Sequence, residues 1–451
     1  MDDRHVCARL AERLAAPSLP QAGPATRRRL RELVLDSIGC GLGAAGIGWG
    51  RSLVDGTVAL DGPGGPATVF GSATRVGTLA AASANALLAN CLDFDDTLHG
   101  HPGAVIVPTA LAVGDARRSS GADVLAAVLA GYEVAGRLGT AARPSTRHRL
   151  ASWGTGGHLA LAGAAVTARL LHLDETATAH ALALAACAAP VPSVRQSVYG
   201  PLGPSMAKNN YAAAATAGMT AAYQADHHMT GPLDVLDDDR GFARLVATDQ
   251  WDPRALLDGW STRFQADQVA TKPYSCCRKI HASLDAVLAA RDEHRLDASE
   301  IIAIDLHSGA WATSPHFARP DPADAPAAQF SAPYCVAAAL RGHQPGPAWF
   351  HPGTLTDTAV RRLAEKVRLL APAAPSSTVL TLRSTRGTFH SEVRHPKGHP
   401  LNPMTDAEIE SKFRRLAGPV LGAERATAIS KAVRALQDTH DVGTLTALLR
   451  P

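Results

Sequence analysis

The chain has 451 residues, 46% hydrophobic and 19% charged, with a formal net charge of +3. That length asks for about two domains, the composition is that of a globular protein, and a near-neutral balance without a basic run argues against a nucleic-acid surface. Apolar stretches are broken by Gly, Pro or charge before the ~20 residues of a membrane span, and seven scattered cysteines behind the charged start MDDRHVCARL predict a reduced, cytoplasmic protein with no membrane partner.

Residues 1 to about 265 read as one helix after another. Apolar residues at helical spacing run through ATRRRLRELVLDSIGCGLGAA (25–45), GADVLAAVLAGYEVAGRLG (121–139), LALAGAAVTARLLHL (159–173) and ETATAHALALAACAA (175–189). Abundant alanine and few aromatic residues predict closely packed helices. The character changes after about residue 268. SEIIAIDLHSG (299–309) has the β-branched run of a short strand, and residues 376–396 read as a hairpin turning at Thr385-Arg386-Gly387. Between them, FSAPYCVAAALRG (330–342) and DTAVRRLAEKVRLL (357–370) read as helices, which together make a small α+β unit. Helix returns at 405–422, opened by a capping box of Thr405 and Glu408, and at 424–437. The predicted fold is mainly α with an α+β second domain. Residues 1–268 and 402–451 form a large all-helical domain, and 269–401 a smaller α+β lid.

One stretch is out of keeping with its surroundings. CLDFDDTLHGHPGAVIVP (91–108) sets Asp93, Asp95, Asp96, Thr97, His99 and His101 into a chain that is otherwise Ala and Leu. If the helix before it continues, Asp93 and Thr97 share a face. Gly100 ends that helix and Pro102 pushes His101 out of the α region, so three polar side chains can converge on one pocket. A solvated acidic turn is the plain alternative. Metal ligation fits poorly, because His99 and His101 diverge on a helix and the second acidic patch, LDVLDDDRGF (233–242), lacks spaced Asn, Ser or Glu ligands. No metal is expected.

Lysine is scarce: of 44 Lys and Arg only seven are lysines, and none precedes Lys208. Lys208 stands just ahead of an alanine-rich helix, where a cation is disfavoured unless an anion is present. It is therefore a candidate for a substrate carboxylate or for proton transfer, against the plain reading of a surface lysine. In ATKPYSCCRKIHASLDAVLAA (270–290), Lys272, Arg278, Lys279 and His281 gather at the expected domain boundary, a cationic cluster suited to a polycarboxylate. Cys276 and Cys277 are adjacent rather than two apart, so zinc is not indicated. No phosphate loop, dinucleotide fingerprint or serine elbow is present.

Four segments in order, LDFDDTLHGHPGAVIVPTALA, MAKNNYAAAATAGMTAAYQA with TGPLDVLDDDRGF, TKPYSCCRKIHASLDA, and HPKGHPLNPMTDAEIESKFRRLAG, resemble the 2-methylcitrate dehydratase family. This MmgE/PrpD group also holds cis-aconitate decarboxylases and an iminodisuccinate epimerase. The resemblance implies a helical domain, a smaller α+β domain, a homodimer, no metal or organic cofactor, and a site between the domains. Carried over by motif, Asp93, Thr97, His101, Lys208 and Lys272 are site residues, and His281 belongs to the same motif as Lys272. The catalytic candidates are His101, Lys208, Asp93 and Lys272, and the substrate-binding candidates are Thr97, His281, Arg278, Trp153 and His99. Trp153, in ASWGTGG, stands where the family has a histidine before a Thr-Gly pair, with His148 and His158 as the imidazoles nearest in sequence. Cys277 stands where the decarboxylase branch has histidine. The expected function is a cofactor-independent dehydratase of a small hydroxylated di- or tricarboxylate. The alternatives are an epimerase or decarboxylase on the same scaffold, or an inactive polycarboxylate-binding protein.

Overall fold

The structure is a computed structural model that describes residues 4–15, 18–145, 147–148, 156–190, 197–200, 203–246, 248–371 and 377–451. Its amino-terminal part is built from α1 (Val6–Ala15), α2 (Pro24–Ala45), α3 (Gly48–Asp61), α4 (Thr78–Cys91), α5 (Gly103–Arg117), α6 (Gly121–Ala141), α7 (Leu159–Leu171), α8 (Glu175–Cys187) and α9 (Ala212–Asp226). Capping sets several of the starts. Ser120 accepts from the Asp123 amide to open α6, and Asp174 accepts from the Ala177 amide to open α8.

Small residues explain how these helices approach one another. A Cβ on Gly218 of α9 would lie 2.1 Å from the Ala160 carbonyl oxygen of α7, so the crossing needs glycine there. α6 is long and apolar enough to cross a membrane, longer than the unbroken runs expected from the sequence. Its most apolar window is 94% buried, however, as in the core helix of a folded domain.

In the carboxy-terminal part, α10 (His281–His294) and α11 (Ala332–Leu340) accompany a four-stranded mixed sheet. Its strands are β1 (Ile301–His307), β2 (Val367–Leu370), β3 (Thr378–Ser384) and β4 (Gly387–Val393), in the order β2-β1-β3-β4. β1 pairs parallel with β2 through Ile304↔Val367 and antiparallel with β3 through Leu306↔Leu380. β3 and β4 form the expected hairpin, closed at Ser384↔Gly387. β2 corrects the sequence reading, which continued a helix to 370. The helix there covers only Thr358–Ala364, and Val-Arg-Leu-Leu becomes an edge strand because β1 offers it a parallel partner.

The last helices, α12 (Asp406–Leu421) and α13 (Ala423–Arg434), come back to the amino-terminal part. Thr405 and Glu408 make the expected capping box. α12 lies on α2, where Gly39 and Gly43 leave room for Phe413 and Leu416. The fold is thus mainly helical, with an α+β portion containing the sheet.

Candidate active site

The site begins where α4 ends. Asp93 takes a left-handed backbone, φ 48°, and His99 another, φ 52°. Such a conformation costs on the order of 1–2 kcal/mol and is best tolerated by short polar residues such as aspartate. The stretch 92–102 is therefore a folded turn rather than the helix end expected from the sequence, and it is the turn that brings Asp93, Thr97 and His101 to one cavity.

The three acids of the turn have separate tasks. Asp96 is structural: its carboxylate accepts from the Gly103 amide at 2.9 Å and from the Tyr132 hydroxyl at 2.5 Å, tying the turn to α5 and α6. Burial, and Asp95 beside it, push Asp96 up to about 7. Asp95 accepts from the Asn90 amide nitrogen at 2.8 Å and holds His101 Nδ1 at 3.1 Å. That contact leaves Nε2 of His101 as the nitrogen that can exchange a proton in the cavity, and Nε2 lies 3.6 Å from Asp93 Oδ1. Asp93 faces the cavity and organises its cations.

Two lysines from distant parts of the chain meet Asp93. Lys272 is fully buried, and its ammonium donates to Asp93 Oδ1 at 2.6 Å and to the Asp93 carbonyl at 2.9 Å. The backbone around it is fixed by a reciprocal pair of hydrogen bonds between Thr97 and Ala270, at 2.8 and 2.9 Å. Lys208 comes from the short turn Met206–Asn209 ahead of α9, with its side chain only 5% exposed. Its ammonium lies 3.6 Å from Asp93 Oδ2 and 5.0 Å from the centre of the Phe330 ring. Burial pushes Asp93 up, but Lys208, Lys272 and His101 outweigh it and hold the carboxylate well below its usual range. Burial lowers Lys208 despite Asp93, whereas for Lys272 the nearby carboxylates outweigh burial and raise it.

The cavity has a volume of about 230 Å³, small beside the ~300–1,000 Å³ of drug-sized pockets. Two larger clefts, of about 640 and 650 Å³, lie elsewhere, and none of Asp93, His101, Lys208 and Lys272 lines either of them. Ligand atoms of Asp93, Asp95 and His101 do lie within 4.8 Å of one another, a grouping that could hold a cation. Two ammoniums already face Asp93, so a divalent ion would enter against them. The charge arrangement suits an anion better.

Residues 7–254 match the MmgE/PrpD N-terminal domain and residues 274–438 the MmgE/PrpD C-terminal domain. The chain belongs to the MmgE/PrpD family. Similar proteins include cis-aconitate decarboxylase of Homo sapiens, 28% identical with 82% of this chain and 79% of the relative covered. Cis-aconitate decarboxylase of Mus musculus is 27% identical over 94% and 89%, and that of Aspergillus terreus 25% over 97% and 94%.

In this MmgE/PrpD chain the other expected site residues are placed unequally. Arg278 lines the cavity, but its guanidinium is occupied by the carbonyls of Thr271, Pro396 and Lys397 at 3.3, 3.4 and 2.9 Å. It fastens the 396–398 loop. His281 is fully buried behind the cavity: Nε2 donates to the Cys276 carbonyl at 3.3 Å, and Nδ1 accepts from Arg278 at 3.2 Å. Burial, then Arg278 and Lys272, keep it neutral. His99 turns away from the cavity, toward Thr140 and against Gly139. Trp153 lies outside the described residues. His148 and His158 do not line the cavity, and burial with His99 nearby pushes His158 down to about 3.

Sequence reasoning passed over Tyr211, whose ring stands 5.5 Å from that of His101, and Tyr199 and Phe330 on the cavity wall. Tyr211 was findable, since it follows Lys208 by three positions in the same motif. Asp95 was visible in the acidic cluster, but its contact with His101 Nδ1 was not.

Proposed function

We propose that the protein is a cofactor-independent lyase that acts on a small di- or tricarboxylate by proton transfer at the carbon beside a carboxylate. The observation that carries this reading is the convergence of His101 and Lys208 on one buried carboxylate, Asp93, at 3.6 Å each, with Lys272 behind it. A substrate carboxylate binds to Lys208 and Thr97. His101 Nε2 takes the proton from the adjacent carbon, and Lys208 stabilises the charge that develops on the carboxylate in a site largely screened from water. In a dehydration the electron pair forms the carbon–carbon double bond, the carbon–oxygen bond breaks, and the hydroxyl leaves as water with a proton from Lys208. The lowered pKa of that ammonium favours the transfer.

Decarboxylation on the same scaffold is the second reading, supported by the names of the relatives. There the carbon–carbon bond to a carboxylate breaks, carbon dioxide leaves, and the protonated His101 delivers its proton to carbon. The reading extends to a homodimer in a reduced cytoplasm, measurable by light scattering and fractionation.

The test is to incubate the pure protein in heavy water with cis-aconitate, hydroxylated tricarboxylates and aspartate-derived acids, following products by mass spectrometry. Loss of water supports the dehydratase, and loss of carbon dioxide the decarboxylase. Deuterium uptake with neither loss indicates an epimerase. Tight binding of these acids with no product from any of them overturns the enzyme reading.

A further inference from the structure

Lys208, Arg278 and Lys279 line the cavity, and Lys272 stands behind Asp93. Lys272 and Lys208 share Asp93, and Arg278 is occupied by backbone carbonyls. Lys279 differs. It lines the cavity from an exposed position, and among the described residues no carboxylate lies within ion-pair distance of it. Its ammonium donates to the Tyr199 hydroxyl at 2.8 Å and stands 5.4 Å and 5.7 Å from the ring centres of Tyr199 and Phe317. The ring faces hold a cation in place while leaving its charge uncompensated. The wall that carries it is fixed in turn, since His316 Nε2 donates to the Gly200 carbonyl at 3.0 Å.

The cations around the cavity thus fall into two groups. At the reacting end, Lys208 and Lys272 face Asp93, with Asp95 behind His101. At the rim, Lys279 supplies a separate positive charge. We propose that Lys279, steadied by Tyr199, binds the substrate carboxylate remote from the reacting carbon, so that the site selects di- and tricarboxylates over monocarboxylates. This rests on the proposed function for the reacting end and names what holds the other. Both groups border one cavity of about 230 Å³, so a compact acid can span them. One of the three ammonium donors goes to Tyr199, and the others serve the carboxylate.

The experiment is calorimetric binding of tricarballylate, glutarate and butyrate, none of which the proposed chemistry consumes, to the wild type, Lys279→Met and Lys279→Arg. The wild type should bind tricarballylate and glutarate more tightly than butyrate. Lys279→Met should weaken both by about 10- to 100-fold while leaving butyrate unchanged, and Lys279→Arg should restore most of the loss. Equal affinity of wild type and Lys279→Met for tricarballylate overturns the proposal. So does an equal loss for butyrate, which marks a structural role. Binding selectivity is read without turnover. Absence of product with intact selectivity therefore defeats only the proposed function, and turnover without selectivity defeats only the role of Lys279.

Discussion

The ammonium of Lys272 lies 2.6 Å from the carboxylate of Asp93, 179 positions away in sequence, and both side chains are buried. Removing one partner of a buried pair strands the other charge, at a cost of about 3–5 kcal/mol. Lys272→Met should therefore lower unfolding stability by about that amount and abolish turnover, as measured by urea denaturation and by product formation. A Lys272→Met protein as stable as the wild type would mean that the pair does not hold the turn in place.

Asp95 is expected to act through His101. Asp95→Asn keeps the shape but offers His101 Nδ1 a neutral partner, so the imidazolium loses its support. Turnover should fall by about 10- to 100-fold, and the acidic limb of the pH–rate profile, where the base His101 becomes protonated, should move toward lower pH. A profile that stays in place while the rate falls would assign Asp95 to packing alone.

Asp96 gives a pH signature. Its folded value, about 7, lies above its ordinary 3.8. The unfolded chain therefore releases this proton first, and the contribution of Asp96 to stability is complete below about 3.8 and lost as pH rises through about 7. Asp96→Asn removes the titration. The stability of the wild type relative to Asp96→Asn should thus fall across that window, read as urea midpoints at several pH values. Parallel curves would contradict the account.

Behind the site, Lys412 of α12 pairs with Asp36 of α2 at 2.6 Å, donates to the Phe94 carbonyl at 2.6 Å and covers the Phe94 ring at 4.0 Å. All three residues are buried, and Phe94 lies between Asp93 and Asp95. Lys412→Met alone should cost about 3–5 kcal/mol, whereas the double variant Asp36→Leu/Lys412→Met should recover much of it. Chemical denaturation of both checks this; a double variant no better than the single one would contradict it.

The parts legible in the sequence are those that lack a packing reason. Three acids in an alanine-rich run, and lysines in a chain that otherwise uses arginine, mark Asp93, Lys208 and Lys272, and the structure brings them together. What was not legible depends on long-range partners. The left-handed turn at Asp93 replaced the expected helix end because the turn is tied to Tyr132 on α6 and to Gly103. His281 and Arg278 belong to a motif with the right charges, yet the carbonyls that occupy them come from the backbone at Cys276 and at 396–397. β2 was read as helix because a short apolar run has no periodicity of its own, and its partner β1 lies more than sixty positions upstream.

The central claim is that His101 moves the proton. The most direct measurement is the turnover of whichever polycarboxylate the wild type consumes fastest, compared with His101→Ala under single-turnover conditions, with folding checked by circular dichroism. The account predicts a loss of at least ~100-fold in a folded protein. A folded His101→Ala enzyme working at near the wild-type rate would contradict it.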